Sequence, residues 1–212
     1  MTPIRASRSG GQAHLRAPRS GGQAGLAPNG PRGLGRVLFG AVVLVAWALS
    51  VVACRGSGER IDLIERLNEA QKVPDAATFV IEDHNLAGEA HRAIAVVPVL
   101  ASRLTWRLTV PKRAWLWVSI GMQVEAWNNE GDGVRFTAGV NDGGTFVPLF
   151  EQYLHPYALA GDRKWFPIRV SLAKYEGREI ELVFATATGA DGAGEDRRHD
   201  LPLWGIPEIV IR

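Results

Sequence analysis

The stretch Ser102-Arg-Leu-Thr-Trp-Arg-Leu-Thr-Val110 decides the fold. Leu104, Trp106, Leu108 and Val110 are apolar, and the residues between them, Arg103, Thr105, Arg107 and Thr109, are polar. Side chains alternate faces along a strand, so this spacing predicts a β-strand with one face in a core and one in water. Pro111-Lys112 reads as a turn. Trp115 to Gln123 then repeats the pattern with Leu116, Val118, Ile120 and Met122 on one side. In Val134–Val140 the apolar side is Val134, Phe136, Ala138 and Val140, opposite Arg135 and Thr137. Asn141-Asp-Gly-Gly144 marks a tight turn, and Thr145 to Phe150 continues beyond it. Phe166, Ile168, Val170 and Leu172 alternate with Pro167, Arg169 and Ser171; Ile180, Leu182 and Phe184 oppose Glu179 and Glu181. A last strand is expected near Ile206–Arg212. Helical spacing occurs only at Ile61–Gln71 and Leu149–His155. Strands separated by Gly, Asn, Asp and Pro turns predict an all-β antiparallel sandwich over residues 61–212.

The preceding residues have a different character. Residues 1–36 carry six of the chain's 24 basic residues, all arginines, and no acid. They are rich in Gly, Ser, Ala and Pro and repeat Arg-Ser-Gly-Gly-Gln-Ala at 8–13 and 19–24. So little of this can be buried that it reads as a disordered leader, either a start site placed too far upstream or a cytoplasmic tail. Val37–Ala53 is an uncharged apolar run behind Arg32 and Arg36, the pattern of a signal helix. From Cys54 onward 18 basic residues face 22 acidic ones. That balance carries no electrostatic footprint for nucleic acid. Residues 54–60 read as a flexible tether, and with a single cysteine in the chain the domain must be held by burial rather than disulfides.

Val51-Val52-Ala53-Cys54 resembles the lipobox of bacterial lipoproteins. The resemblance implies diacylglycerol on the Cys54 thiol, cleavage before it, and a domain outside the cytoplasm, tethered to a cell-envelope membrane by its acyl anchor. A single-pass helix is the other reading of the same run, with the same topology. Within the sandwich, Trp165, Val170-Ser-Leu-Ala-Lys-Tyr-Glu-Gly177, Glu179–Phe184 and Leu203-Trp-Gly-Ile-Pro-Glu-Ile209 resemble the closing half of galactose-binding-like jelly-roll domains, which include many carbohydrate-binding modules. Gly133–Phe136 with Val140-Asn-Asp-Gly143 is similar to the matching strand and hairpin of domains that cap some glycosidases. The likeness spans about 78–212. It implies a jelly-roll fold that binds sugars, proteins or lipids through variable loops, and no binding residue transfers by motif.

Three groups are candidates for function. Trp115 and Trp117 fall on the odd face of their strand, where two indoles would form a platform suited to the C–H face of a pyranose, unless covered by a neighbouring segment. Trp106, Phe136, Trp165 and Trp204 are expected in the core. The longest polar loop, Gly189–Asp200, places Asp196, Arg197, Arg198, His199 and Asp200 where such folds bind ligands. Asn128, Glu130 and Asp132 carry oxygens at calcium-loop spacing, but the residue at 139 is Gly where an EF-hand needs Glu, which leaves only a structural Ca²⁺ site or a plain solvated loop. No other cofactor is implied. No catalytic motif is present, His84, His91, His155 and His199 lack ligand spacing, and only a carboxylate pair among Glu130, Asp132, Glu151 and Asp196 could hide an enzyme. The chain thus reads as a non-catalytic envelope lipoprotein that binds a glycan, or alternatively assembles with another envelope protein through the same apolar face.

Overall fold

The alternating stretches become strands because each can bury one face while its neighbours take up its backbone hydrogen bonds. The computed structural model describes residues 59–212. The expected leader, apolar run, lipobox and Cys54 lie outside the described residues, within which no helix is long and apolar enough to cross a membrane. The strands are β1 (Arg60–Asp62), β2 (Gln71–Val73), β3 (Phe79–Leu86), β4 (Glu89–Val96), β5 (Ala101–Thr109), β6 (Ala114–Met122), β7 (Val134–Asp142), β8 (Thr145–Leu154), β9 (Phe166–Ser171), β10 (Glu179–Thr188) and β11 (Pro202–Ile211). One short helix, α1 (Glu125–Asn128), follows β6.

They form two antiparallel sheets. One runs β3-β4-β11-β6-β9, with β1 also paired to β11; the other runs β2-β5-β10-β7-β8. Neighbours in these orders are mostly distant in sequence, as in a jelly-roll sandwich. The Asn141–Gly144 turn joins β7 to β8 with Gly143 at φ 62° and Gly144 at φ 89°. Two successive left-handed residues match the twist of the flanking strands, and glycine reaches that region without a Cβ clash.

The core lies between the sheets. Leu104, Trp106, Leu108 and Val110 are buried from β5 and its end, Phe136 and Ala138 from β7, and Leu182 and Phe184 from β10. Opposite them, β11 supplies Trp204, whose ring stacks on Phe184 at 4.5 Å and meets Phe136 edge-on at 5.2 Å. All four aromatics expected in the interior are buried. Trp165 belongs to a smaller cluster on the outer side of the first sheet, with Leu86, Ala93, Ala95 and Leu203. It lies on Gly121 and Gly205, where a Cβ would meet its ring at 3.0 and 2.8 Å.

Both expected helices are absent. Ile61–Gln71 divides into β1, a turn in which Asp62 Oδ1 accepts the Ile64 N–H at 2.7 Å, and a 3₁₀ turn at Leu67–Glu69. Its apolar residues Leu63, Ile64 and Leu67 are buried as a plug, and the Arg66 carbonyl accepts the Trp106 indole N–H at 3.1 Å. The apolar spacing was real, but Asp62 and pairing with β11 favour a folded-back chain over a helix. Leu149–His155 instead continues β8 as far as Leu154, paired with β7 across a bulge near Ala138 and Gly139. Replacing Trp204 with Ala should cost about 3–5 kcal/mol of stability, as expected for an emptied aromatic site between two sheets. Urea unfolding followed by tyrosine and tryptophan fluorescence would check this; an unchanged midpoint would remove Trp204 from its central place.

Candidate functional site

Trp115 and Trp117 stand on the outward face of β6, as their odd positions require, and both are half-buried. The Trp117 ring packs against two guanidinium groups, those of Arg169 and Arg212, each 4.5 Å from the ring centroid. A guanidinium over an indole is held by the ring quadrupole. The indole Nε1 is buried and meets no acceptor among the described residues. A hollow of about 190 Å³ beside it is lined by Arg60, Trp117, Arg169 and Ile206. The face therefore presents cations over an indole.

The two loop candidates meet at one end of the sandwich. Asp132 Oδ2 accepts the Asp196 N–H at 3.2 Å, and Gly131 packs so closely on the Arg198 carbonyl that a Cβ would approach it to 2.6 Å. Asp196 pairs with Arg198 at 2.6 Å, which holds the Asp196 carboxyl down at about 2. His199 sits 3.5 Å from Glu125, and Arg197 is exposed. Asn128 and Glu130 point outward, and among the described residues no three His, Cys, Asp or Glu side chains converge as metal ligands. Glu151 pairs with Arg135 at 3.2 Å.

Asp200 is the unusual member of this cluster. It is 2% exposed, and among the described residues neither carboxylate oxygen has a hydrogen-bond partner. Burial, with the Asp132 charge second, pushes its pKa up to about 7; the nearby Gly133 N–H opposes the shift without reaching hydrogen-bond geometry. Tyr153, which donates to the Asp132 carbonyl, is also raised, by burial first and then by Asp200.

A third place, absent from the sequence reading, is the outward face of the five-stranded sheet. Its central strand β10 presents Val183, Ala185 and Ala187 outward, opposite Thr105 and Arg103 on β5 and Gly139 and Thr137 on β7. Small side chains down the middle and long ones at the sides leave a trough. One part encloses about 530 Å³, walled by Arg103, Thr137, Asn141, Phe146 and Glu181; it adjoins a second of about 360 Å³ over Ala185 and Ala187. Four outward-facing rows at two-residue intervals give a length of about 20 Å along the strands. Phe146 is 47% exposed, and its ring lies over Gly139, where a Cβ would come within 2.4 Å of it. Glycine at 139 thus lets the ring lie against the sheet. Asn141 Nδ2 donates to Glu181 Oε2 at 2.8 Å, and its Oδ1 meets no donor among the described residues. The only hint in the sequence was the run of small odd residues 183, 185 and 187 where charges would be ordinary.

Comparison with solved structures supports the architecture. A Clostridium perfringens ZmpB structure, comprising its M60 catalytic domain with CBM51-1 and CBM51-2, aligns with a TM-score of 0.52 at 12% identity, over 73% of this chain and 15% of that one. The fold is that of carbohydrate-binding-module sandwiches. The CBM51 of Clostridium perfringens GH95, solved with methyl-galactose, aligns at 0.46 and 14% identity over 72% of this chain and all of that one. No protein-family model matches. An Archaeoglobus fulgidus protein described only as uncharacterized is 28% identical over 155 residues, covering 71% of this chain. The match spans 36% of that protein's length, so the chain corresponds to about a third of the curated relative.

The loop cluster makes a pH prediction. Native Asp200 keeps its proton up to a pH of about 7, whereas in the unfolded chain it ionises near its ordinary value of 3.8. Between those values the native state binds more protons, so this group's contribution falls as pH rises through the window and is level above it. Asp200→Asn should therefore raise the melting temperature relative to wild type at pH 8, with the gain shrinking towards pH 4. Thermal melts across that range check it, and a difference independent of pH would contradict the buried acid.

Proposed function

We propose that this chain is a non-catalytic cell-envelope protein whose sandwich binds a linear glycan along the outward face of the five-stranded sheet. The trough carries this reading. Its floor is aliphatic, its walls offer hydroxyl, amide and guanidinium groups, and one exposed aromatic ring packs on Gly139 at its edge. A sugar ring needs that combination, an apolar surface for its C–H face and directional polar partners for its hydroxyls. A trough of about 20 Å, open at the surface, admits several rings of a chain laid along the strands. The carbohydrate-binding-module fold of the ZmpB structure supports the same class of ligand by analogy.

The lipobox-like Val51-Val52-Ala53-Cys54 supports an anchored location. Acylation at Cys54 would hold the sandwich at a membrane surface outside the cytoplasm, with residues 55–58 as spacer.

Two measurements test these statements. Glycan-array screening of the purified full-length chain, followed by calorimetry on the hits, should give binding that Phe146→Ala weakens roughly fivefold, the equivalent of about 1 kcal/mol of aromatic packing. Trp115→Ala should leave it unchanged; the reverse pattern moves the site to β6. Mass spectrometry of membrane-extracted protein should find an acylated N-terminal peptide beginning at Cys54, and an intact peptide running across Ala53 and Cys54 contradicts the anchor.

A further inference from the structure

We infer that the trough selects acidic glycans, with Arg103 receiving the carboxylate of a uronic acid residue. This rests on the trough being the glycan site and names the class of sugar it takes.

Three arginines face outward around the trough, and two are already occupied. Arg107 pairs with Glu181 at 3.3 Å. Arg135 reaches Glu151 at 3.2 Å with Nη1 and donates through Nε to the Ala190 carbonyl at 2.9 Å. Arg103 has neither arrangement: among the described residues it meets no carboxylate within ion-pair distance and no hydrogen-bond acceptor. It is exposed, yet it lines both parts of the trough.

The charge of the smaller part is one-sided. The lining of the 360 Å³ part contains Arg103 and Arg135 and no acid. These two stand on β5 and β7, flanking the Ala185–Ala187 stretch of β10, so an object resting on those alanines lies between two guanidinium-bearing strands. The acids of the face lie outside that part: Glu179 and Glu181 stand near Arg107 towards the Asn141 end, Glu181 walling the larger part, and Glu151 on β8 is paired to Arg135. The planar guanidinium fork matches a carboxylate in two parallel N–H···O bonds, which a neutral hydroxymethyl group cannot form.

Spacing agrees with one chain using both ends. Phe146 covers Gly139 on β7, while Arg103 lies two strands away and one two-residue row along. With strands about 4.8 Å apart and a rise of about 3.4 Å per residue, the backbone positions are separated by about 12 Å. A sugar stacked on Phe146 and an acid held by Arg103 are thus different residues of one oligosaccharide.

The test compares α-1,4-oligogalacturonate with its carboxyl-reduced counterpart, which keeps linkage and length and loses the charge. Calorimetry uses the full-length wild-type chain, R103Q and F146A. The inference expects wild type to bind the uronate roughly tenfold tighter at low salt, in line with a charge-assisted bidentate pair. That preference should shrink as salt is raised and vanish in R103Q. Equal or tighter binding of the reduced oligosaccharide, still weakened by F146A, overturns the acidic preference and leaves the glycan site standing. A preference that survives in R103Q overturns the assignment to Arg103. Binding of neither sugar, or binding that F146A does not touch, overturns the trough as the site and this inference with it.

Discussion

Trp204 joins the two sheets. It projects inward from β11, stacks on Phe184 of β10 and meets Phe136 of β7 edge-on, and a further contact reaches Phe150 of β8 at 6.3 Å. Packing of this kind fixes register, because a slip of one residue would turn every side chain of a strand to the other face. With Leu182 and Phe184 locked inward, Val183, Ala185 and Ala187 have to face outward. The trough is therefore a consequence of the core: the same alternation that fills the interior sets a row of small side chains along the middle of the opposite surface.

A site on the sheet differs physically from one on the loops. Backbone hydrogen bonds on both sides hold β5, β10 and β7, so side chains projecting from them are positioned before any ligand arrives and little ordering entropy is lost on binding. The loop end of the sandwich is organised differently. There Asp200 is buried beside Asp132 without a hydrogen-bond partner among the described residues, and the strand ends and the Asp196–Asp200 segment are held by backbone contacts and the Asp196–Arg198 pair. That arrangement locks two loops together at low pH more firmly than at high pH.

Much of the fold could be read from local pattern. The alternation in β5, β7 and β10, the Asn141–Gly144 turn and the burial of Trp106, Phe136, Trp165 and Trp204 all follow from periodicity and turn chemistry. The misreadings arose where pairing with distant strands overrode local spacing: β11 drew Arg60–Asp62 into a sheet, and β7 did the same for Leu149–Leu154. The candidate site was hidden for a related reason. β10 contributes three small residues to the trough and its neighbours one or two each, and nothing in a single stretch reveals that Thr105, Val183 and Gly139 lie side by side. Phe146 resting on Gly139 is a diagonal contact across a bulged hairpin, in which Phe146 pairs with Asn141 and Gly139 with Pro148, and the Arg169 and Arg212 groups over Trp117 come from far along the chain. The aromatic pair that was conspicuous in sequence is accordingly the less open surface.

The most direct test of this account is a backbone amide NMR titration of the chain with an array-selected oligosaccharide. The account predicts that perturbed amides cluster on β5, β10, β7 and the start of β8, around Arg103, Ala185, Thr137 and Phe146, with the Trp115 and Trp117 indole signals unmoved. Perturbations gathered on β6 and β9, or confined to residues 189–200, would contradict it.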